Sequence, residues 1–396
     1  MNRELKQPNS SFLGQTLPRT LYTAEQVRKL DRLAIETIPI DGFELMKKAG
    51  RSAFRMLLRN WPEASSLSIF CGGGNNGGDG LIIAGLAAQQ GMSVELILLT
   101  DTSVFKGEAA AAWDWLQQFN RLPALHIRRL EDEVAIQGEL IVDCLLGTGL
   151  TGDVRGNYVR AIDAINRSVQ PVLAVDIPSG LCSDTGRVLG RAVYAQRTMT
   201  FIGVKQGLLT GEGPACVGEL EFNALDVPES VYKKVQPSCL RAGWDELENT
   251  LPKRKKTAHK GAYGRVLVVG GDHGMGGAAL MAAEAVCRVG AGLVSVATRA
   301  EHVSAYITRC PELMVHGVDD VHTIETMVKK ADVIVIGPGL GQSEWGLLLL
   351  ACALEANKPM VIDADGLNRL AHLNPEPRTN WILTPHPGEA ARMLNT

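Results

Sequence analysis

Apolar residues recur along this chain at two periods, and the changes between them outline two αβ halves. Val27, Leu30, Leu33 and Ala34 fall three and four apart behind Thr23 and Gln26, which stand at capping-box spacing, so the pattern predicts a helix beginning near Thr23. A second helix is predicted from about Asp41 to Asn60. Beyond Pro62 the period shortens. LSIFCGGG reads as an apolar strand running into glycines, GDGLIIAGLAAQQG as a helix and SVELILLT as another strand, which together make a βαβ unit. LIVDCLLG and VLAVDIPSG are further strand-like runs, separated by stretches long enough for helices. The first half is therefore expected to be α/β, a mostly parallel, doubly wound sheet in a Rossmann-like three-layer αβα sandwich.

Between about Asp226 and Gly264 the periodicity fades and Pro228, Pro237 and Pro252 accumulate, so a domain boundary belongs in that stretch and is set at 235/236. Beyond it RVLVVGGDHGMGGAALMAAEAV repeats the order of strand, Gly-rich loop and helix. DVIVIGPGLG, PMVIDADGL and WILTPHPGE supply three more strands ending in loops, so residues 236–396 form a second α/β domain. The longest apolar run, Trp345 to Leu354, is about half of the ~20 residues that span a bilayer and reads as a buried helix.

Composition agrees with this division. A chain of 396 residues exceeds the ~250 to 300 at which single cores stop growing. With 40 basic and 43 acidic residues, the net charge of −3 gives no general attraction to nucleic acid or to an anionic membrane. The run Lys253-Arg254-Lys255-Lys256 is then a solvated connection rather than a polyanion patch. Eight scattered cysteines without a C-x-x-C pair suggest reduced thiols in a cytoplasmic protein, and MNRELKQPNSSFLGQTLPRT lacks the apolar core of a signal peptide. The oligomeric state, a homo-oligomer included, is not readable from one sequence.

Ligands of doubly wound sheets bind beyond the carboxyl ends of the strands, and three such ends carry carboxylates: Asp79 in CGGGNNGGDG, Asp143 in IVDCLLGTGL and Asp176 in AVDIPSG. A carboxylate closing an apolar strand costs desolvation unless it has a partner. Gly72, Gly74 and Gly77 satisfy G-x-G-x-x-G, and Asp101 stands near where a ribose-binding acid would be, so a nicotinamide-dependent oxidoreductase is an obvious rival. Against it, Asn75 and Asn76 fill positions where bare backbone should approach a pyrophosphate, and Asp79 is expected to cap the same helix N-terminus and repel one. Asn76, Asp143 and Ser179 offer an amide oxygen, a carboxylate and a hydroxyl, a hard-cation set suited to a monovalent ion or Mg²⁺. Residue types alone equally allow Ser179 to cap a turn and Asp143 to accept backbone N–H groups, which is the commoner use.

FCGGGNNGGDGLIIA, DCLLGTGLTGDVRG, VDIPSGLCSDTG and FIGVKQGLLTG, in this order, resemble the YjeF N-terminal domain of NAD(P)HX epimerases over roughly Leu21 to Asp226. The resemblance implies that Asn75, Asn76, Gly77, Gly78 and Asp79, with Gly147, Thr148, Gly149, Leu150, Thr151, Gly152 and Asp153, bind the hydrated nucleotide, NADHX or NADPHX. It also implies that Asn76, Asp143 and Ser179 hold K⁺ and that Asp176 sits at the reacting ring as the catalytic acid and base. Lys205 is a candidate to bind phosphate or tune Asp176, although a loop lysine is as often solvated.

HKGAYGRVLVVGGDHGMGGAALMAAEA, IGPGLGQ, VIDADGLN and LTPHPGEAARML resemble the YjeF C-terminal domain, a ribokinase-like NAD(P)HX dehydratase using ADP or ATP with Mg²⁺, over about Lys253 to Thr396. By position that resemblance puts Ala278, Gly339 and His386 against the substrate; a His between two prolines can also be simply fixed in a turn. Family members continue into a Lys-Gly loop and a Gly-x-Gly-Asp segment that supplies the catalytic Asp. Neither follows TPHPGE here, so this polypeptide alone is expected not to dehydrate NAD(P)HX. A binding or scaffold module of the YjeF N-terminal type is the alternative from another class, and such a module can lose the carboxylates that are all present here.

Overall fold

The computed structural model describes residues 17–37, 41–119, 121–130, 135–250, 253–373, 375–376 and 378–396. The first sixteen residues, most of the stretch read for a signal peptide, and Pro252 lie outside the described residues. The chain divides into two units, residues 1–251 and 252–396.

In the first unit β1 (Thr20–Tyr22) leads into α1 (Ala24–Thr37) and α2 (Gly42–Asn60). The capping box is present: Thr23 N–H donates to Gln26 Oε1 at 2.8 Å, and Gln26 N–H to Thr23 Oγ1 at 3.3 Å. Asp41 caps α2, accepting from Glu44 N at 2.7 Å. Then come β2 (Ser66–Cys71), α3 (Asn75–Gln89), β3 (Ser93–Leu98), α4 (Gly107–Leu116), β4 (Leu125–Arg129), β5 (Leu140–Cys144), α5 (Asn157–Arg167), β6 (Val172–Val175) and β7 (Arg197–Phe201). The unit closes with β8 (Val204–Lys205), α6 (Gly213–Val217), β9 (Glu219–Asn223), α7 (Glu229–Tyr232), β10 (Cys239–Leu240) and α8 (Trp244–Thr250).

Seven strands form one sheet in the order β4-β3-β2-β5-β6-β7-β9, every neighbour parallel. Alternation along β2 shows why both faces are covered. Leu67, Ile69 and Cys71 pack with α1 to α4, whereas Phe70 packs on the opposite face with Ala161, Ile162 and Ile165 of α5. Strand order reverses between β2 and β5, where Phe70 stands opposite Asp143, and the cleft of a doubly wound sheet opens at such a point. A short second sheet, β10-β1-β8, places Tyr22 beside Lys205. Neither it nor β4 was legible in the hydrophobic pattern, because strands of two, three and five residues carry too little periodicity.

The second unit contains β11 (Arg265–Val269), α9 (Gly276–Val289), β12 (Leu293–Thr298), α10 (Val303–Arg309), β13 (Met314–Gly317), α11 (Val321–Lys330) and β14 (Val333–Ile336). It continues through α12 (Glu344–Glu355), β15 (Met360–Ile362), α13 (Ala364–Leu373), β16 (Trp381–Leu383) and α14 (Pro387–Leu394). Its sheet, β13-β12-β11-β14-β15-β16, is also parallel, with a reversal between β11 and β14. Val268, Val294 and Val296 pack with α9 and Tyr306 of α10 on one face; Leu267, Val269, Ile334 and Ile336 pack with α11, α12 and α13 on the other. Trp345 to Leu354 lies within α12, as its apolar run predicts. Lys253 to Lys256 are exposed, and Arg254 lies over the Tyr263 ring at 4.2 Å.

Candidate functional site

At the reversal between β2 and β5 a cavity of about 790 Å³ opens between the strand ends and helices α1 and α2. Asn75, Asn76, Asp79, Gly147, Thr148, Gly149, Leu150, Thr151, Asp176 and Lys205 line it. Gly77 and Gly78 are buried within α3 beside it, while Gly152 and Asp153 are exposed and do not line it. Glycine is required where the turn passes other backbone: a Cβ on Gly72 would meet Leu145 O at 1.9 Å, and one on Gly77 would meet Gly72 O at 2.0 Å. Gly74 is the N-cap of α3 and caps with no side chain. Asp79 therefore does not cap the helix as its position in the motif suggested; it lies in the second turn, its carboxyl facing the cavity. Burial, then the neighbouring Asp176, push that carboxyl well above the ordinary carboxylate range, which favours the neutral acid.

Asp176 follows β6 with a φ of 68°, a left-handed backbone that few non-glycine residues adopt. Its Oδ1 accepts from the Lys205 ammonium and from Phe201 N–H at 3.4 Å. Lys205 is fully buried, not solvated, and donates also to Thr200 Oγ1 at 3.0 Å and to the Phe201 carbonyl at 3.3 Å. An ammonium carries only three protons, so these three acceptors use them all. The turn that brings the Phe201 carbonyl round holds Ile202 at φ 60°, an outlier for a β-branched residue, pinned by the Tyr232 hydroxyl donating to the Ile202 carbonyl at 2.8 Å.

Behind the cavity wall Asp143, Ser179 and Asn76 meet around the backbone of Leu145 and Leu146. Ser179 Oγ and N–H donate to the two Asp143 oxygens at 2.6 and 2.8 Å, and Leu145 N–H reaches Asp143 Oδ1 at 3.2 Å. Ser179 Oγ accepts from Leu146 N–H at 2.8 Å, while Asn76 Nδ2 donates to the Leu146 carbonyl at 3.1 Å. Both sequence readings of these residues are geometrically available, since the capping bonds exist and the oxygens converge. What capping leaves over is Asn76 Oδ1, a buried acceptor with no hydrogen-bond partner, and Asp143, which burial pushes up to about 6 against the pull of its hydrogen bonds. An unpaired acceptor beside a fully buried carboxylate fits a bare cation with oxygen ligands.

Sequence reasoning missed Asp31, Arg28, Thr100, Glu108 and Tyr158 in the same cavity. For Asp31 a signal existed. Val27, Leu30 and Ala34 are the buried stripe of α1, and an acid at position 31 stands four residues after Val27, on that stripe's edge. Thr100 Oγ1 is buried without a partner at the tip of the cavity strand next to β2. Asp101, the ribose-binding candidate, instead accepts from Ser103 N–H and Oγ at 3.0 and 2.9 Å, pairs with Arg129 and lies outside the cavity.

In the second unit, loops after β11 and β14 meet at the sheet reversal. Gly339, at φ 60°, accepts from Asp272 N–H at 2.7 Å, and a Cβ on it would stand 3.3 Å from the Ala278 Cβ. Ala278 and Gly339 thus lie against each other, with Met275 packed on the glycine. His386 lies beyond β16, two strands from β14, where its exposed ring caps α14 by accepting from Gly388 N–H at 3.0 Å. Among the described residues no helix is long and apolar enough to cross a membrane.

Comparison with known proteins follows the same division. A family described as YjeF-related protein N-terminus matches residues 42–207, and one described as NAD(P)H-hydrate dehydratase matches residues 266–396. The bifunctional NAD(P)H-hydrate repair enzyme of Coxiella burnetii is 48% identical over 374 residues, which are 94% of this chain and 75% of that protein. The enzyme of the same name from Escherichia coli is 41% identical, covering 96% of this chain and 72% of its own. A solved ADP/ATP-dependent NAD(P)H-hydrate dehydratase of Bacillus subtilis, co-crystallised with ATP and Mg²⁺, is 30% identical over 38% of this chain and 54% of its own, with a TM-score of 0.33.

Proposed function

The chain belongs to the family of bifunctional NAD(P)H-hydrate repair enzymes, and from that premise we propose that the cavity of its first unit interconverts the R and S epimers of hydrated NADH and NADPH. The observation that carries this reading is the pair formed by buried Lys205 and half-buried Asp176, both lining a cavity placed at the sheet reversal. The hydrate bears a hydroxyl on C6 beside the ring nitrogen. Inversion needs that hydroxyl protonated and expelled as water, a flat iminium sheltered, and water returned to the other face. Asp176 accepts or returns the proton, a role worth ~10² to 10⁴-fold in rate, and its charge faces the cationic ring. Lys205 holds it in place, and Asp79, which burial pushes towards the neutral acid, faces the substrate as a hydrogen-bonding group. The loop from Gly147 to Thr151 presents backbone to the nucleotide.

Asn76, Asp143 and Ser179 would hold K⁺, which supplies fixed positive charge and ties the loops after β2, β5 and β6 together. In the second unit Ala278 and Gly339 form the wall against which the S hydrate lies for ADP- or ATP-dependent dehydration with Mg²⁺. A cytoplasmic setting suits eight free cysteines.

The test is consumption of (R)-NADHX in the presence of an independent S-specific dehydratase, with K⁺ or with a bulky organic cation in its place. Acceleration by the protein, larger with K⁺, is expected. No acceleration above the uncatalysed rate overturns the reading.

A further inference from the structure

Resting on that reading, we propose that Asp31 on α1 is a second catalytic carboxyl of the epimerase cavity, handling the proton on one face of the pyridine ring while Asp176 with Lys205 handles the other. Inversion at C6 requires a hydroxyl to leave from one face and water to arrive on the opposite one. A single carboxyl could serve both only if the ring turned over inside the cavity.

The structure offers a second group. Asp31 lines the same cavity as Asp176 but enters it from a helix, whereas Asp176 enters from the end of a sheet strand. Lys205 has no proton left for it, and among the described residues no hydrogen bond to the Asp31 carboxyl is present. The charged and titratable groups facing it are Arg28 on its own helix, Asp79 on α3, Asp176, Lys205, and Tyr232 on α7. Burial raises its carboxyl from the ordinary 3.8 to about 6, with Lys205 pulling down and Asp176 pushing up. A carboxyl with that value exchanges its proton readily near neutrality, as an acid–base group should.

In one direction the Asp31 carboxyl gives its proton to the C6 hydroxyl, the C–O bond breaks, water departs, and the ring nitrogen lone pair forms the C=N bond of the iminium. Water on the other face then forms the new C–O bond and passes its proton to Asp176. The nitrogen lone pair is restored, and the two carboxyls have exchanged protonation states. The reverse direction exchanges them back, and solvent resets the pair between turnovers.

The test follows each epimer in ¹⁸O-water, reading inversion by chromatography and oxygen exchange by mass. In the Asp31→Asn protein, inversion should fall by ~10²-fold or more, the scale of a lost acid–base group. Exchange without inversion should persist in only one epimer, the one whose hydroxyl faces Asp176. Asp31→Glu, which keeps a displaced carboxyl, should recover part of the inversion. Inversion at the wild-type rate in Asp31→Asn overturns the assignment, as does an equal fall of inversion and exchange in both epimers. If Asp31→Asn does not fold, an unchanged ratio of inversion to exchange in Asp31→Glu overturns it instead. A wild-type protein showing neither inversion nor exchange removes the epimerase reading itself and this inference with it.

Discussion

The two units share an architecture but treat their buried acids in opposite ways. Around the first unit's cavity, burial raises Asp31 and Asp143 to about 6 and Asp79 well above its ordinary value; Asp143 has three donors, all uncharged, and they do not offset its burial. In the second unit burial also pushes Asp272 up, but hydrogen bonds from Ser343, Arg299 and His273 outweigh it and hold the carboxyl below its ordinary value. An acid whose bonds offset its burial serves the fold; acids whose burial is not offset store free energy, and they collect where a substrate and a cation are expected to supply what is missing.

The largest effect should come from removing charge in the first unit. Asp176→Asn should slow epimerisation by ~10² to 10⁴-fold while leaving the second unit's melting unchanged; normal epimerisation by this variant would break the contrast. Lys205→Met leaves the half-buried Asp176 carboxylate without its ammonium partner and should destabilise the first unit by ~2 to 3 kcal/mol in urea unfolding. In the second unit His386→Ala removes only a helix cap, at a cost of about 1 kcal/mol, so equal costs for the two variants would argue against the comparison.

Gly77→Ala forces a Cβ onto the Gly72 carbonyl and should cost about 1 to 3 kcal/mol together with epimerase activity. Gly277→Ala, near the start of α9 with nothing within 4 Å of its added Cβ, should leave the second unit unchanged or up to ~1 kcal/mol more stable.

Smallest is the pH dependence, which should run oppositely in the two units. Asp31 binds its proton more tightly folded than unfolded, so the first unit loses stability as pH rises from about 4 to about 6, and Asp31→Asn should flatten that slope. Asp272 binds its proton less tightly when folded. Its contribution is complete above the ordinary value of 3.8 and is lost as pH falls below it. Hydrogen exchange resolved by unit, taken from about pH 2 to about pH 7 so that both windows are covered, would show whether the slopes differ in sign.

Much of this was legible in the sequence. The helix from Thr23 was readable from a cap and a 3.6 period, the βαβ unit from an apolar run meeting glycines, and the positions of Asp79, Asp143 and Asp176 from their place after strands. These are local properties, set by neighbours within a turn or a strand. Whether Asp143 faces Ser179, whether Lys205 is buried or solvated, and whether His386 reaches Gly339 or merely caps its helix depend on strand order, which joins residues far apart in the chain. Asp31 belongs to that second class: its helix could be read from the sequence, but only the packing of that helix against the turn at Gly203 makes its carboxyl part of the cavity.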